Sequence, residues 1–268
     1  MIIDAHVHIG GKVGFKMKES VVLNAMTKYG IDKAIVSNAD SMEVDFEQNP
    51  IPAEQQTSMY NSTVKAINFA RNNADKIFVA AWVKPKNEQP DKNFYDLIER
   101  NLDIVKALKV HPYHSAEPFN SERTQEFIRM AQTFSLPIIV HTALDPFSRV
   151  DLVAEIAKKY PEVKFILAHL ELQSDNLHAI DLCKKTPNLY ADTAWVTLEN
   201  TKKFIKECGS ERILFGSDMP IDGEDTYSKN KEGERSIYQD YFALASNVQA
   251  NEIEENLLFR NAQRIFKI

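Results

Sequence analysis

The sequence predicts an α/β chain folded as a TIM (β/α)8 barrel with an extra C-terminal helix. Three observations carry that expectation. Eight short apolar runs each precede an amphipathic stretch, in alternation from end to end. Such alternation implies parallel strands joined by helical crossovers. The length of 268 residues suits one closed barrel, which takes about 250. No glycine-rich, phosphate-cradling motif follows a strand, so nucleotide binding has no support, and a doubly wound open sheet is the weaker alternative. Residues 1–268 read as one barrel domain.

Ile2 to His6 reads as the first strand, and Glu19 to Tyr29 as a helix stopped by Gly30. Lys33 to Asn38 is the second strand. A longer insert with Pro50 and Pro52 follows, then a helix from Ala53 to Asn73. Ile77 to Val83 is strand three, closed by Pro85, and Phe94 to Leu102 the next helix. Ala107 to His111 is strand four, stopped by Pro112. Ser121 can cap a helix that runs to Phe134, and Pro137 marks its end. Ile138 to His141 is strand five, and Val150 to Tyr160 a helix. Val163 to Ala168 is strand six, and Asp175 to Lys185 a helix. Leu189 to Asp192 is strand seven. Leu198 to Cys208 is a helix with Gly209 as its cap, and Arg212 to Gly216 is strand eight. Helices from Glu234 to Ala245 and from Glu252 to Phe266 finish the chain.

With 44% hydrophobic and 26% charged residues, the composition is that of an ordinary globular protein. The net charge of −6 argues against general affinity for nucleic acid or an anionic membrane, because phosphate binding needs clustered Lys and Arg. No apolar run approaches the roughly 18 residues of a membrane span. The N-terminus enters a strand without a secretory pattern. Cys183 and Cys208 fall in helical segments and read as free thiols. A cytoplasmic protein with a small-molecule substrate is expected, and a homodimer is compatible with the sequence.

Five of the seven histidines sit at or just past the C-terminal end of a strand: His6, His8, His111, His141 and His169. Asp218 takes the same place after strand eight. In a barrel these ends converge on one mouth, where catalytic groups are placed. His6 and His8 are two apart on an extended chain, so both leave one face. Two imidazoles on one face can bind a borderline cation such as Zn2+. His141 and Asp218 can add a nitrogen and a carboxylate, with a position left open for water. The metal would lower the pKa of that water. Asp218 could take its proton, and His169 could hydrogen-bond the nucleophile or the substrate. Each signal is weak alone, since His-x-His is common and Asp218 could merely cap a turn. Their coincidence at one end of the strands is what carries weight. His114 lies in a loop beyond Pro112, open between substrate contact and plain exposure, and His178 reads as a surface residue of a helix.

These residues resemble a known family. Asp4-Ala5-His6-Val7-His8, Leu108-Lys109-Val110-His111-Pro112, Ile139-Val140-His141-Thr142, Leu167-Ala168-His169 and Leu214-Phe215-Gly216-Ser217-Asp218-Met219-Pro220 look like the amidohydrolase superfamily. Within it, the chain is similar to the amidohydrolase-2 group, which includes aminocarboxymuconate-semialdehyde decarboxylase and related lactonases. The closing segment Asn261-Ala262-Gln263-Arg264-Ile265-Phe266 matches that group as well. The resemblance implies His6, His8, His141 and Asp218 as ligands of one divalent metal, usually zinc, with Mn2+ or another divalent ion as alternatives. It implies His169 as the catalytic histidine. Asp192 and His111 would lie near the substrate. Two departures stand out. The glycine that often follows the strand-six histidine is replaced by Leu170-Glu171, which puts Glu171 at the pocket wall. Lys109 shares the inward parity of His111, where binuclear relatives carry a bridging carboxylated lysine; a lysine holding a carboxylate is the preferred reading.

The expected activity is metal-dependent hydrolysis of a C–O or C–N bond in a small lactone, amide or ester that bears a carboxylate. Lys109, His111, His114 and Arg149 would form a cationic mouth, with Asp192 among the substrate contacts. The alternative is non-oxidative decarboxylation of a small unsaturated or aromatic carboxylate on the same site. A barrel that has lost catalysis and serves in binding is a third reading, which the intact ligand set disfavours.

Overall fold

The computed structural model describes residues 1–11, 16–220, 225–229, 233–245 and 251–268. Among these, eight strands form one sheet in chain order, and every neighbouring pair is parallel. The strands are β1 (Ile3–Ile9), β2 (Lys33–Asn38), β3 (Ile77–Trp82), β4 (Val105–Val110), β5 (Ile138–Ala143), β6 (Phe165–Leu172), β7 (Leu189–Asp192) and β8 (Ile213–Leu214). Backbone hydrogen bonds close the seam between β1 and the chain leaving β8. Ala5 N donates to Phe215 O, Asp218 N to His6 O and His8 N to Met219 O, each at 2.8 Å. The sheet is therefore a closed barrel, as the alternation predicts.

Helices connect the strands: α1 (Glu19–Tyr29), α2 (Met59–Asn72), α3 (Lys92–Glu99), α4 (Pro112–Ser115), α5 (Glu122–Phe134), α6 (Val150–Lys159), α7 (Leu177–Lys185) and α8 (Leu198–Cys208). The chain finishes with α9 (Tyr238–Ala245), α10 (Glu252–Glu255), a π-type turn over Asn256–Arg260 and α11 (Asn261–Phe266). Ser121 caps α5 by accepting from Thr124 N, and Gly30 ends α1 with φ 67°. The helix expected from Ala53 starts only at Met59, because Ser58 caps it there by accepting from Asn61 N. The insert before it makes two short 3-10 turns instead. The helix expected from Glu234 begins at Tyr238.

Two apolar layers hold the barrel. The larger lies between strands and helices and contains Val7, Val36, Val110, Val140, Phe127 and Val153. The smaller fills the barrel interior, with Ile3, Ile35, Ile139, Ile166 and Leu214 packed against Ala262, Ile265 and Phe266. The last helix α11 thus plugs the end where the strands begin, and the mouth at the strand ends is left for polar side chains. A register shift in β1 between Asp4 and Val7 marks a bulge. It changes the inward parity: Ile3 and Ala5 join the interior layer, whereas His6 and His8 turn to the mouth.

Candidate metal centre

The bulge is held by Asp4, which is fully buried. Its carboxylate accepts from His6 N at 3.0 Å, Ser217 N at 3.1 Å, Ser217 Oγ at 2.5 Å and Tyr227 OH at 2.5 Å. Burial pushes this carboxyl up to about 7, against the pull of those hydrogen bonds. Asp4 thereby ties β1 to the loop that carries Asp218.

Above it, three histidines have their Nδ1 atoms engaged by the protein. His6 Nδ1 lies 2.8 Å from Asp192 Oδ2, His8 Nδ1 2.8 Å from Ser37 Oγ, and His169 Nδ1 3.2 Å from Ala194 O. A carboxylate or a carbonyl can only accept, so His6 and His169 carry their proton on Nδ1 and present a bare Nε2 lone pair to the mouth. The Nε2 atoms of His6 and His8 are 3.1 Å apart. Asp218 Oδ1 is 3.3 Å from the first and 2.9 Å from the second. His6, His169 and Asp218 also offer ligand atoms that all lie within 4.8 Å of one another. Lone pairs gathered this closely repel unless a cation or proton sits among them. Imidazole nitrogens with one carboxylate are the donors that divalent first-row metals take, so the residues present fit such an ion.

Burial sets the charge state of the cluster. It holds His6, His111 and His141 well below the ordinary histidine range and lowers His169, which disfavours their charged forms. Burial also raises the Asp192 carboxyl. Burial alone would raise Asp218 too, but His6, His8 and His169 around it hold it well below the carboxylate range. Lys109 is buried with its Nζ 2.8 Å from His6 Nε2, and burial lowers it to about 8 against the charges of Asp218 and Asp192.

A cavity of about 430 Å3 opens beside the cluster, lined by His8, Lys109, Asp218 and a wall of flat rings. Trp82 stacks on His111 with centroids 5.1 Å apart and planes at 8°, and His111 on His141 at 3.8 Å and 12°. His141 stands edge-on to His169 at 4.9 Å. The rim comes from the insert after β2. Val44 O accepts from His114 Nδ1 at 3.1 Å, and Tyr113 OH donates to Phe46 O at 2.7 Å.

The structure thus brings His6, His8, His169 and Asp218 together, and Lys109, His111, His114 and His141 line the cavity. Asp192 lies fully buried beneath His6, outside that lining. Arg149 is also outside it: its Nε pairs with Glu171 at 3.1 Å. Glu171 is buried in that pair, 3.4 Å from Val150 N at the start of α6, and does not form the pocket wall expected of it. Burial disfavours the charged forms of two residues of the expected cationic mouth, holding His111 well below the ordinary histidine range and lowering His114 to about 4. His178 is on the surface, 2.9 Å from Asp151. Sequence reasoning missed Ser37, Trp82 and Trp195, whose indole Nε1 donates to Asp218 Oδ2 at 2.9 Å. No motif marks them, because each acts across strands.

No protein of curated function matches the chain by sequence. Solved structures match over nearly its whole length. A 5-carboxyvanillate decarboxylase from Novosphingobium aromaticivorans, with bound manganese and 3-methoxy-4-hydroxy-5-nitrobenzoic acid, superposes with a TM-score of 0.71 at 13% identity, covering 100% of this chain and 97% of that one. A 2,6-dihydroxybenzoate decarboxylase from Rhizobium gives 0.66 at 14% identity, covering 99% and 98%. A putative amidohydrolase from Staphylococcus aureus gives 0.68 at 13% identity, covering 100% and 99%. At these identities the likeness is one of fold. It nonetheless overturns the expectation of C–O or C–N hydrolysis as the leading activity: the two neighbours with a defined reaction are decarboxylases, which break a C–C bond. The family model described as Amidohydrolase matches residues 3–268. The chain, with its strand-end histidines gathered at a barrel mouth, belongs to the amidohydrolase family.

Proposed function

We propose that this protein is a metal-dependent, non-oxidative decarboxylase of a small planar carboxylate, aromatic or unsaturated. The observation that carries the reading is the wall of stacked rings, Trp82, His111 and His141, beside the cluster of His6, His8 and Asp218. A flat-walled cavity next to a cation-seeking cluster suits a flat anion. The fold likeness to two decarboxylases supports the same choice.

In this proposal His6, His8, His141 and Asp218 hold one divalent ion, with Zn2+ and Mn2+ the ions to test. The bound ion supplies Lewis acidity toward the anionic oxygens of the substrate. Non-oxidative decarboxylation replaces a carboxylate by a proton: the C–C bond breaks, CO2 leaves, and the substrate carbon left behind keeps the electron pair and takes a proton. The chain must therefore bind an anion and deliver that proton. Lys109 is the buried cation at the mouth, placed to meet the anion, with His111 and His114 as further contacts. His169 is held by Ala194 O, and burial disfavours its charged form at rest. An arriving carboxylate favours its protonated form, and departure of that charge as CO2 reverses the preference. His169 can thus take up a proton on binding and give it to the carbon. Arg149 acts at most at the outer rim. A cytoplasmic setting is part of the proposal, supported by the buried free thiols Cys183 and Cys208. Among the described residues no helix is long and apolar enough to cross a membrane.

The test is release of labelled CO2. Protein loaded with Mn2+ or Zn2+ should liberate it from at least one of carboxyl-labelled 2,6-dihydroxybenzoate, 5-carboxyvanillate and an unsaturated aliphatic carboxylate. Loaded protein that releases none from such a panel overturns the reading.

A further inference from the structure

We propose that Trp195 is a positioning residue that selects which oxygen of Asp218 faces the metal centre. The inference rests on the reading of Asp218 as a metal ligand. Indole Nε1–H is a donor only, and that of Trp195 is given to Asp218 Oδ2 at 2.9 Å. The other oxygen, Oδ1, is the one near His8 Nε2 at 2.9 Å and His6 Nε2 at 3.3 Å. With Oδ2 accepting from the indole, Oδ1 is the oxygen turned to the imidazole nitrogens that would hold the ion. Nearby groups that hold ligands in this way tune metal sites.

The surroundings fix this pair from both sides. Trp195 and Asp218 each have a left-handed backbone, with φ 61° in both. Such a conformation is costly for these residues and persists where neighbours over-determine it. One buried hydroxyl does so for both loops: Tyr238 OH accepts from Trp195 N at 2.9 Å and donates to Ser217 O at 2.7 Å. The Tyr238 ring also stands edge-on to the Trp195 indole, with centroids 5.9 Å apart. On the other side, Asp218 N donates to His6 O at 2.8 Å. The loop after β7 and the loop after β8 are therefore set to one another by the protein's own contacts, with the indole N–H as the contact that reaches the ligand.

The experiment compares metal affinity in wild type, Trp195→Phe and Asp218→Asn, read by chelator competition with Mn2+ and with Zn2+. Trp195→Phe keeps an aromatic ring and removes the donor. Affinity is expected to fall about 10- to 100-fold, while the melting temperature of the metal-free protein stays close to wild type. If Asp218→Asn weakens binding and Trp195→Phe leaves it unchanged, the positioning role is wrong and the metal reading stands. If Asp218→Asn binds metal as wild type does, the reading beneath the proposal is wrong. Should Trp195→Phe fold poorly, the indole N–H resonances of wild type and Trp82→Phe give a second measurement. The Trp195 resonance should move on Zn2+ addition, and a resonance indifferent to a saturating ion overturns the proposal.

Discussion

His6 is useful as a ligand only in the tautomer that leaves Nε2 bare, and Asp192 imposes that tautomer through a 2.8 Å contact to Nδ1. Asp192→Asn can present an amide N–H to the same nitrogen and reverse the tautomer. We expect it to weaken metal binding about 10- to 100-fold without removing any proposed ligand, measured by equilibrium dialysis. Replacing His6 and His8 together by Ala should leave no bound ion, and a double variant that retains one equivalent would contradict their assignment. A second residue-scale prediction lies outside the centre. Glu43 is buried, and its carboxylate accepts from Asn87 N at 2.6 Å. Burial raises it from 4.5 to about 7. An acid raised in the folded state keeps its proton while the unfolded chain loses one, so it makes stability fall as pH rises from 4.5 to 7. The slope flattens above that range, and the total is at most on the order of 3 kcal/mol. Glu43→Gln should reduce the difference in denaturant stability between pH 5 and pH 8; an unchanged difference would assign the carboxyl an ordinary pKa. The histidines and Asp218 were legible because strand ends show in the hydrophobic pattern. Ser37, Trp195 and Glu43 were not, since their partners lie far away in sequence and on other elements.

At the scale of elements, local signals located the strands but not their irregularities. β6 was expected to stop at Ala168 and runs on to Leu172. The register between β5 and β6 shifts after His141, and His169, Leu170 and Glu171 take φ values of 71°, 47° and 67°. Nothing within Leu170-Glu171-Leu172 announces such a turn, which depends on the neighbouring strand; Thr142 Oγ1, for example, accepts from Glu171 N at 2.9 Å. The helix after the β2 insert, expected from Ala53, starts at Met59 for a similar reason: a Ser58 cap is visible only once the helix axis is known. Strand eight, expected over Arg212 to Gly216, covers only Ile213–Leu214, and the glycine just past its end has a role no pattern shows. A Cβ on Gly216 would come within 3.0 Å of the His6 Cβ and 3.1 Å of the Asp192 Cβ. Contacts that tight force the two side chains apart. Gly216→Ala is expected to cost about 1–3 kcal/mol in denaturant unfolding and to weaken metal binding through the His6–Asp192 pair. A stable variant with unchanged metal affinity would show that β8 yields at no cost to the site.

For the whole molecule, closure of the barrel and assembly of the proposed centre are the same event. β1 and β8 come from opposite ends of the chain, and their seam rests on few backbone hydrogen bonds, among them Asp218 N to His6 O and His8 N to Met219 O. His6 and His8 stand on one side of that seam and Asp218 on the other. An ion held by all three would therefore bind the closed barrel and not the unfolded chain, and would stabilise the fold by mass action. At a free concentration about 100 times the dissociation constant, that linkage contributes roughly 2.7 kcal/mol. For a chain of this size each kcal/mol moves the melting temperature by about 2–4 °C, so the loaded protein should melt about 5–10 °C above the chelator-treated one. The seam amides of Ala5 and His8 should gain the most protection from hydrogen exchange on loading, because exchange there requires the strands to part. His8→Ala should abolish both the melting shift and the added protection. Equal melting temperatures with excess Mn2+ or Zn2+ and with chelator would mean that the cluster at the mouth is satisfied without an ion, by the Lys109 ammonium that already lies 2.8 Å from His6 Nε2.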